Sequence, residues 1–432
     1  MTSPARDAPA RPARAPSLLR HHDFRQVWMG DTVSVFGVEV VGFVVPIIAV
    51  TTLAATELQM GLLATAQMLA FLLIGLPAGA WVDRMRKKDV IIRGDLARAA
   101  VLLTLPVAWA FDALTMAQLY AVVFLVGCIT VFFDVANQSY LPEIVPAEQI
   151  SEGNAKLSAS QQTARVAGPT VAAWLLRILG GPWAVAVTAV CMGLSSLFVS
   201  RVEAPSRRPH PATREPLWQE IRTGLAFVVR QPLLVRIVAC TGMSNFANTI
   251  TTTLFVLFAI RELGLTETDL GLLFSIMAVG GVLGALSSDR LARLIGEGRT
   301  IPVSALLWSS AMLALPLAAY VSSPMPVLVA GGFLSGGLVV VYNVTQVSFR
   351  QRLCPPRLLG RMNGSIRFLV WGPIPVAALL AGVLGERLGA LTTMWVGATL
   401  GLLSALPVLL SPLVRMRELP RSVDSLGAAR GD

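Results

Sequence analysis

Histidine is scarce in this chain of 432 residues: three occur, His21, His22 and His210. All three stand in an amino-terminal tail or a polar connection, so no imidazole is offered for a membrane proton relay or a metal site. The four cysteines, Cys128, Cys191, Cys240 and Cys354, lie far apart and lack both zinc spacing and the density of a disulfide framework. They read as small buried hydrophobes. No phosphate-cradling glycine loop, nucleophile–base constellation or metal-ligand spacing is present, so neither an enzyme nor a bound cofactor or metal is expected. A sensor would require an added soluble domain, and the tails are short.

What fills the chain is apolar. Hydrophobic residues make up 54% and charged residues 14%, with a mean hydropathy of +0.67. One soluble core cannot hide that much apolar surface, so the chain is expected to be an all-α integral membrane protein. A formal net charge of +10 would suit nucleic acid, but its distribution argues otherwise. Counting spans from the amino end leaves only Arg177, Arg261 and Arg387 on outward loops, the positive-inside asymmetry. Both termini are therefore expected in the cytoplasm of a multi-pass protein in a bacterial inner membrane. The basic excess is assigned to topology and anionic lipid, with no nucleic-acid partner.

Apolar runs of spanning length, roughly 20 residues each, predict twelve helices. They fall near 27–52, 60–82, 90–110, 117–138, 156–178 and 182–200, then 233–259, 268–289, 301–321, 326–348, 363–385 and 391–412. Residues 1–22 read as a disordered basic tail without the apolar core of a signal peptide, and 413–432 as a second cytoplasmic tail. The linker 201–232 is Arg- and Pro-rich. Within it Leu217, Trp218, Ile221, Leu225 and Val228 recur at helical spacing, predicting an amphipathic helix on the inner membrane surface.

The chain also repeats itself. Asn137, Pro146 and Asn154 match Gln346, Pro355 and Asn363 at an offset of 209, close to the 210 that separates the Gly-Leu-Leu triplets at Gly61 and Gly271. Arg165 precedes Gly168-Pro169 as Arg367 precedes Gly372-Pro373. Two related six-helix bundles, 23–200 and 233–412, enclosing a central cavity would leave this pattern.

The junction at Gly79-Ala80-Trp81-Val82-Asp83-Arg84-Met85-Arg86-Lys87-Lys88 ends one apolar run, and Ala285-Leu286-Ser287-Ser288-Asp289-Arg290 is a looser copy. The spacing resembles the cytoplasmic loop motif of the major facilitator superfamily of transporters, over about Phe24 to Pro412. Arg86 stands where that family often has glycine. The resemblance implies a monomer working by alternating access, with Gly79, Asp83, Arg84, Arg86, Lys87, Lys88, Asp289 and Arg290 in a gate. Gly168-Pro169, followed by Ala172 and Ala173, resembles the fifth-helix motif of the superfamily's antiporters and is added to the gate. The stretches Leu141-Pro142-Glu143-Ile144-Val145-Pro146 and Asn343 to Arg361 resemble the branch with macrolide-efflux and enterobactin-exporter proteins. That branch implies proton-driven export of a drug, siderophore or secondary metabolite. A facilitator or importer with structural carboxylates is the alternative.

Two acids, Asp31 and Glu39, share the first span, about 12 Å apart along the helix and roughly 80° apart around it. An ionised carboxylate at the bilayer centre is unfavourable by about 2.5 kcal/mol or more, so Glu39 should be protonated, paired or open to a water-filled cavity. Arg165, near mid-depth in the fifth span, is the candidate partner of Glu39 or of Asp134. The family's frequent arginine on the fourth helix is missing. Gly168-Pro169 should kink the fifth span. Asn245, Asn248 and Thr249 form one polar stripe at helical spacing, and Tyr342 and Asn343 another. With Phe36, Glu39, Phe43, Phe255 and Trp371 they are the expected lining of a pocket for a small amphipathic substrate.

Overall fold

The computed structural model describes residues 18–82, 84–146, 149–204, 217–354 and 359–419. The amino-terminal tail up to 17, Asp83, most of the linker and the end of the carboxy-terminal tail lie outside them. The first bundle comprises α1 (His22–Thr51), α2 (Glu57–Val82), α3 (Lys87–Ala110), α4 (Met116–Ile144), α5 (Ile150–Leu179) and α6 (Gly181–Ser200). The amphipathic segment forms α7 (Leu217–Arg230). The second bundle comprises α8 (Pro232–Thr253) continued by α9 (Phe255–Arg261), α10 (Glu267–Ile295), and α11 (Glu297–Met312) continued by α12 (Ala314–Leu317). Then come α13 (Pro324–Leu353), α14 (Leu359–Trp371) continued by α15 (Ile374–Leu388), and α16 (Ala390–Ser404) continued by α17 (Leu406–Leu409). No strand occurs among the described residues.

Ten spans are long and apolar enough to cross a membrane by length and composition alone. The remaining two crossings, α3 and α5, are the most polar, because α3 carries Asp95 and Arg98 and α5 carries Arg165. Ordered structure begins earlier than the apolar pattern suggests. Leu18–Arg20 form a short helical turn with Leu18 buried, and His21 caps α1 by accepting from the Phe24 amide.

Turn chemistry repeats between the bundles. Thr115 caps α4, and Thr266 and Asp269 form a capping box on α10, satisfying amides that the first helical turn leaves unpaired. Gly180 ends α5 at φ 79° and Gly389 ends α15 at φ 83°, matched positions where a side chain would be strained.

Four apolar clusters describe the packing, the smallest being Ile250, Ala377 and Ala381 in the second bundle. One lies wholly in the first bundle toward the end bearing the chain termini, with Phe24, Val82, Phe133 and Tyr140. A second lies in the other bundle at the same end, with Leu234, Phe349, Met362 and Leu413. The largest crosses from one bundle to the other at the far end, joining Phe43, Val44, Ile48 and Met60 to Leu254, Phe255, Leu270 and Leu273. The bundles are thus fused at the far end and cored separately at the terminal end. A cleft between them opens toward the termini.

Candidate functional site: the cavity between the bundles

The fused end is sealed along two seams. On α2 and α15, Gly61 lies against Gly382, and the Thr65 hydroxyl donates to the Pro375 carbonyl at 3.2 Å. On α5 and α10, Gly271 lies against Pro169 and Ala173, and the hydroxyls of Thr170 and Ser275 are 2.7 Å apart. At mid-depth Phe71 of α2 packs on Trp371 of α14 at 5.2 Å between centroids, and the Arg367 guanidinium lies over both rings.

Just below this seal stands Glu39, near the middle of α1. Its carboxylate faces Arg165 across 3.9 Å, with the two side chains 31% and 62% exposed. That is a loose, wet pairing rather than a locked one. Gly168 makes it possible: a methyl group there would sit 2.7 Å from the Glu39 Cβ. The following Pro169 meets Gly271 of the other bundle, so one Gly-Pro step touches both the acid's helix and the seam. An interruption of the helix is not present at this step of α5, since Ile150–Leu179 runs as one helix. It occurs instead at the matching Gly372-Pro373, where α14 stops and α15 begins. Pro373 is the N-cap of α15, where no intrahelical bond needs its missing amide, whereas in α5 the missing bond is tolerated within the packed seam.

Asp134 on α4 is exposed, and the ion pair that Arg165 makes among the described residues is with Glu39, not with Asp134. Asp31 is 3% exposed and accepts from the Asn137 amide of α4 at 2.5 Å.

Sequence reasoning missed the densest charge in the bundle. Asp95 and Arg98 of α3, 0% and 1% exposed, form a buried ion pair. Ser34 donates to Asp95 at 3.2 Å and accepts from Arg98 at 3.1 Å, Thr130 accepts from Arg98 at 3.4 Å, and the guanidinium lies 4.1 Å from the Phe133 ring centre. The pair ties α1, α3 and α4 together. Opposite charges three residues apart inside an apolar run were the available signal.

The expected lining divides. Trp371 and Asn343 are exposed, and Phe36, Asn245 and Thr249 are half-buried. Phe43 and Phe255 are instead core residues, both edge-on to Phe274 at 5.8 and 6.1 Å. Tyr342 is also buried, its hydroxyl 2.7 Å from that of Thr241, so it cannot wall a pocket. The stripe on α8 splits too: Asn245 donates to the Val370 carbonyl of α14 at 3.3 Å, while Asn248 lines a narrow crevice with Trp308 and Gly397 inside the second bundle. Helical spacing sets a shared face but not what covers it.

At the terminal end Lys87 pairs with Glu143 at 2.7 Å and donates to the Ser139 carbonyl at 3.1 Å, and Lys88 donates to the Ser200 and Val202 carbonyls at 3.0 and 2.6 Å. Both hold their own bundle. Arg84, Arg86, Asp289 and Arg290 are exposed, Gly79 lies within α2, and Asp83 lies outside the described residues.

Two helical bundles related by a chain repeat, sealed at one end around a polar cleft, match a known profile over residues 27–374 and 237–429. The chain belongs to the Major Facilitator Superfamily. This superfamily member is a multi-pass membrane transporter, not an enzyme. It is 27% identical over 430 residues to the enterobactin exporter EntS of Escherichia coli O6:K15:H31 (strain 536 / UPEC), covering 95% of this chain and 98% of that one. It is also 27% identical over 390 residues to the multidrug efflux pump Tap of Mycolicibacterium fortuitum, covering 84% and 89%. Among solved structures it superposes on the nucleoside transporter NupG with a TM-score of 0.74 at 12% identity, covering 90% of this chain and 98% of that one. A bacterial homologue of the iron transporter ferroportin in its inward-facing state gives 0.73 at 17% identity, covering 91% and 99%. At these identities the structural likenesses establish the fold alone.

Proposed function

We propose that this transporter is a proton-coupled exporter of a bulky amphipathic compound, a drug, siderophore or secondary metabolite, across a bacterial inner membrane. The observation that carries the reading is the loose Glu39–Arg165 opposition at 3.9 Å within the cleft. A carboxylate near mid-membrane and open to water can gain or lose a proton without unfolding its surroundings, and a ligand that reaches it competes with that proton. The buried Asp95–Arg98 pair, by contrast, is held by the Ser34 and Thr130 hydroxyls and the Phe133 ring and suits a fixed structural role.

With both termini assigned to the cytoplasm on the distribution of bases, the cleft faces inward. Export then requires the far-end seams to part while the terminal ends of the bundles close. Arg84, Arg86, Asp289 and Arg290, exposed in the open cleft, are assigned to that closure along with Asp83 and Gly79, and Gly168-Pro169 to the moving seam. The substrate walls are Phe36, Glu39, Asn245, Thr249, Asn343 and Trp371, and the carboxylates Asp31 and Asp134 tune the charge around the coupling acid. The working unit is a monomer in lipid, with protons as the coupling ion. The similarity to a siderophore exporter and a multidrug pump supports the export direction.

The test is uptake into inside-out proteoliposomes under an imposed pH gradient, using a macrolide and a catecholate siderophore as cargo. Accumulation above the external concentration that collapses in Glu39→Gln supports the proposal. Uphill accumulation retained in that variant removes Glu39 from coupling, and equilibration that ignores the gradient makes the protein a facilitator.

A further inference from the structure

Away from the central cleft, α8, α14 and α16 leave a cavity of about 510 Å³ whose lining residues are apolar, among them Val229, Val238, Met243, Phe246, Leu369 and Leu400. Val229, Met243 and Leu369 are exposed, so the cavity is a groove open on the outer surface of the bundle. Along α8 it runs from Val235 to Phe246, about 16 Å at the rise of a helix. Its terminal end is closed by α7, the amphipathic helix, through Val228 and Val229. The matching seam of the first bundle is filled. There α1 meets α5, the Thr32 hydroxyl donating to the Ser160 hydroxyl at 2.9 Å, and Ser160 is the position matched by Leu369.

Charge gathers where α7 closes the groove. Arg222 and Arg230 of α7 are exposed, and Arg236 of α8 is anchored by a hydrogen bond from Nη1 to the Leu410 carbonyl at 2.7 Å. Among the residues whose side chains are described, no carboxylate forms an ion pair with Arg230 or Arg236. An apolar slot inside the hydrocarbon layer, beginning at a cluster of bases near its boundary, has the two-part chemistry of a phospholipid: chain in the slot, acid at the bases.

We propose that this groove seats one acyl chain of an anionic phospholipid from the leaflet on the side of the termini, with its phosphate at Arg230 and Arg236. The walls that would hold the chain, α8 and α14, are tied by the Asn245 amide to the Val370 carbonyl, α14 carries Arg367 over Phe71 of the first bundle, and Leu369 is close to the Gly372-Pro373 break. A seated lipid therefore braces the one span whose interruption lies beside the cleft. Each basic group near an anionic head is worth roughly five-fold in affinity, so loss of two should erase most of the head-group preference.

The experiment is native mass spectrometry of the full chain in mixed micelles containing dioleoyl phosphatidylglycerol and dioleoyl phosphatidylcholine in equal amounts. Retention of phosphatidylglycerol by roughly ten-fold over phosphatidylcholine is expected. The Arg230→Gln/Arg236→Gln variant should bring the ratio within about two-fold, while Met243→Trp, which fills the slot from its open side, should lower retention of both lipids and keep their ratio. Leu400→Trp serves if Met243→Trp does not fold. Equal retention of the two lipids by the native chain, or a preference untouched by both kinds of substitution, overturns the proposal. Displacement of the retained lipid by a transported macrolide, with no head-group preference, would make the groove a substrate path instead. None of these readouts requires transport, so they stand apart from the test of Glu39.

Discussion

In the first bundle the six spans run as single helices, whereas in the second four are interrupted, at Leu254, Leu313, Gly372-Pro373 and Ala405. The chemistry is divided the opposite way. Asp31, Glu39, Asp95 and Asp134 all stand within spans of the first bundle, and the matched depth of the second offers Arg367 instead of an acid. The lesson is that a duplicated plan need not duplicate roles. The continuous helices hold the buried carboxylates in register, and the bundle whose helices are interrupted is the one without acids at that depth.

This contrast can be broken most severely at Asp95–Arg98. Removing one partner of a buried pair leaves an uncompensated charge, so Arg98→Ala should destabilise by about 3–5 kcal/mol, read as a large fall in thermal melting in detergent. The double variant Asp95→Leu/Arg98→Met should recover much of that loss. A smaller break is expected in the second bundle, where Gly280 touches the Phe333 backbone, with only 2.2 Å for an added methyl. Gly280→Leu should cost about 1–3 kcal/mol or more through separation of α10 from α13, visible in melting. Gly75→Ala in the first bundle, whose added methyl would meet only Phe71 at 3.6 Å, should change little.

Weaker than the break at Gly280 is Lys87→Ala. Its bridge to Glu143 is partly exposed, and loss of about 1 kcal/mol or less is expected, shrinking at high salt. Smallest of all is Pro373→Ala. The proline already occupies a helix start, so stability should shift by less than about 1 kcal/mol, while hydrogen exchange around Gly372 slows as α14 and α15 join. Unchanged exchange there would mean that packing, not the proline, sets the interruption.

The spans, the repeat and the two acids of α1 were legible in the sequence because apolar length and buried charge are strong local signals. Glu39 and Arg165 were also readable as a pair, since both are mid-span and opposite in sign. The fate of Tyr342, Phe43 and Phe255 was not, because an aromatic at the right depth serves a core or a cavity wall equally well until neighbouring helices are placed. Nor did the repeat reveal that Gly-Pro would be absorbed in α5 and break the span between α14 and α15. That outcome depends on the tertiary contacts of Gly168 with α1 and Pro169 with α10. Asp95 and Arg98 escaped notice for a different reason: they lie in a span whose start is crowded with interfacial bases, where charge is ordinary.

The division of labour itself is tested by proton release from the purified transporter on adding a macrolide or a catecholate siderophore, compared among the native chain, Glu39→Gln and Arg367→Gln. Release in the native chain and in Arg367→Gln, with none in Glu39→Gln, is the result predicted if proton chemistry belongs to the first bundle. Release that survives Glu39→Gln and disappears in Arg367→Gln would contradict it.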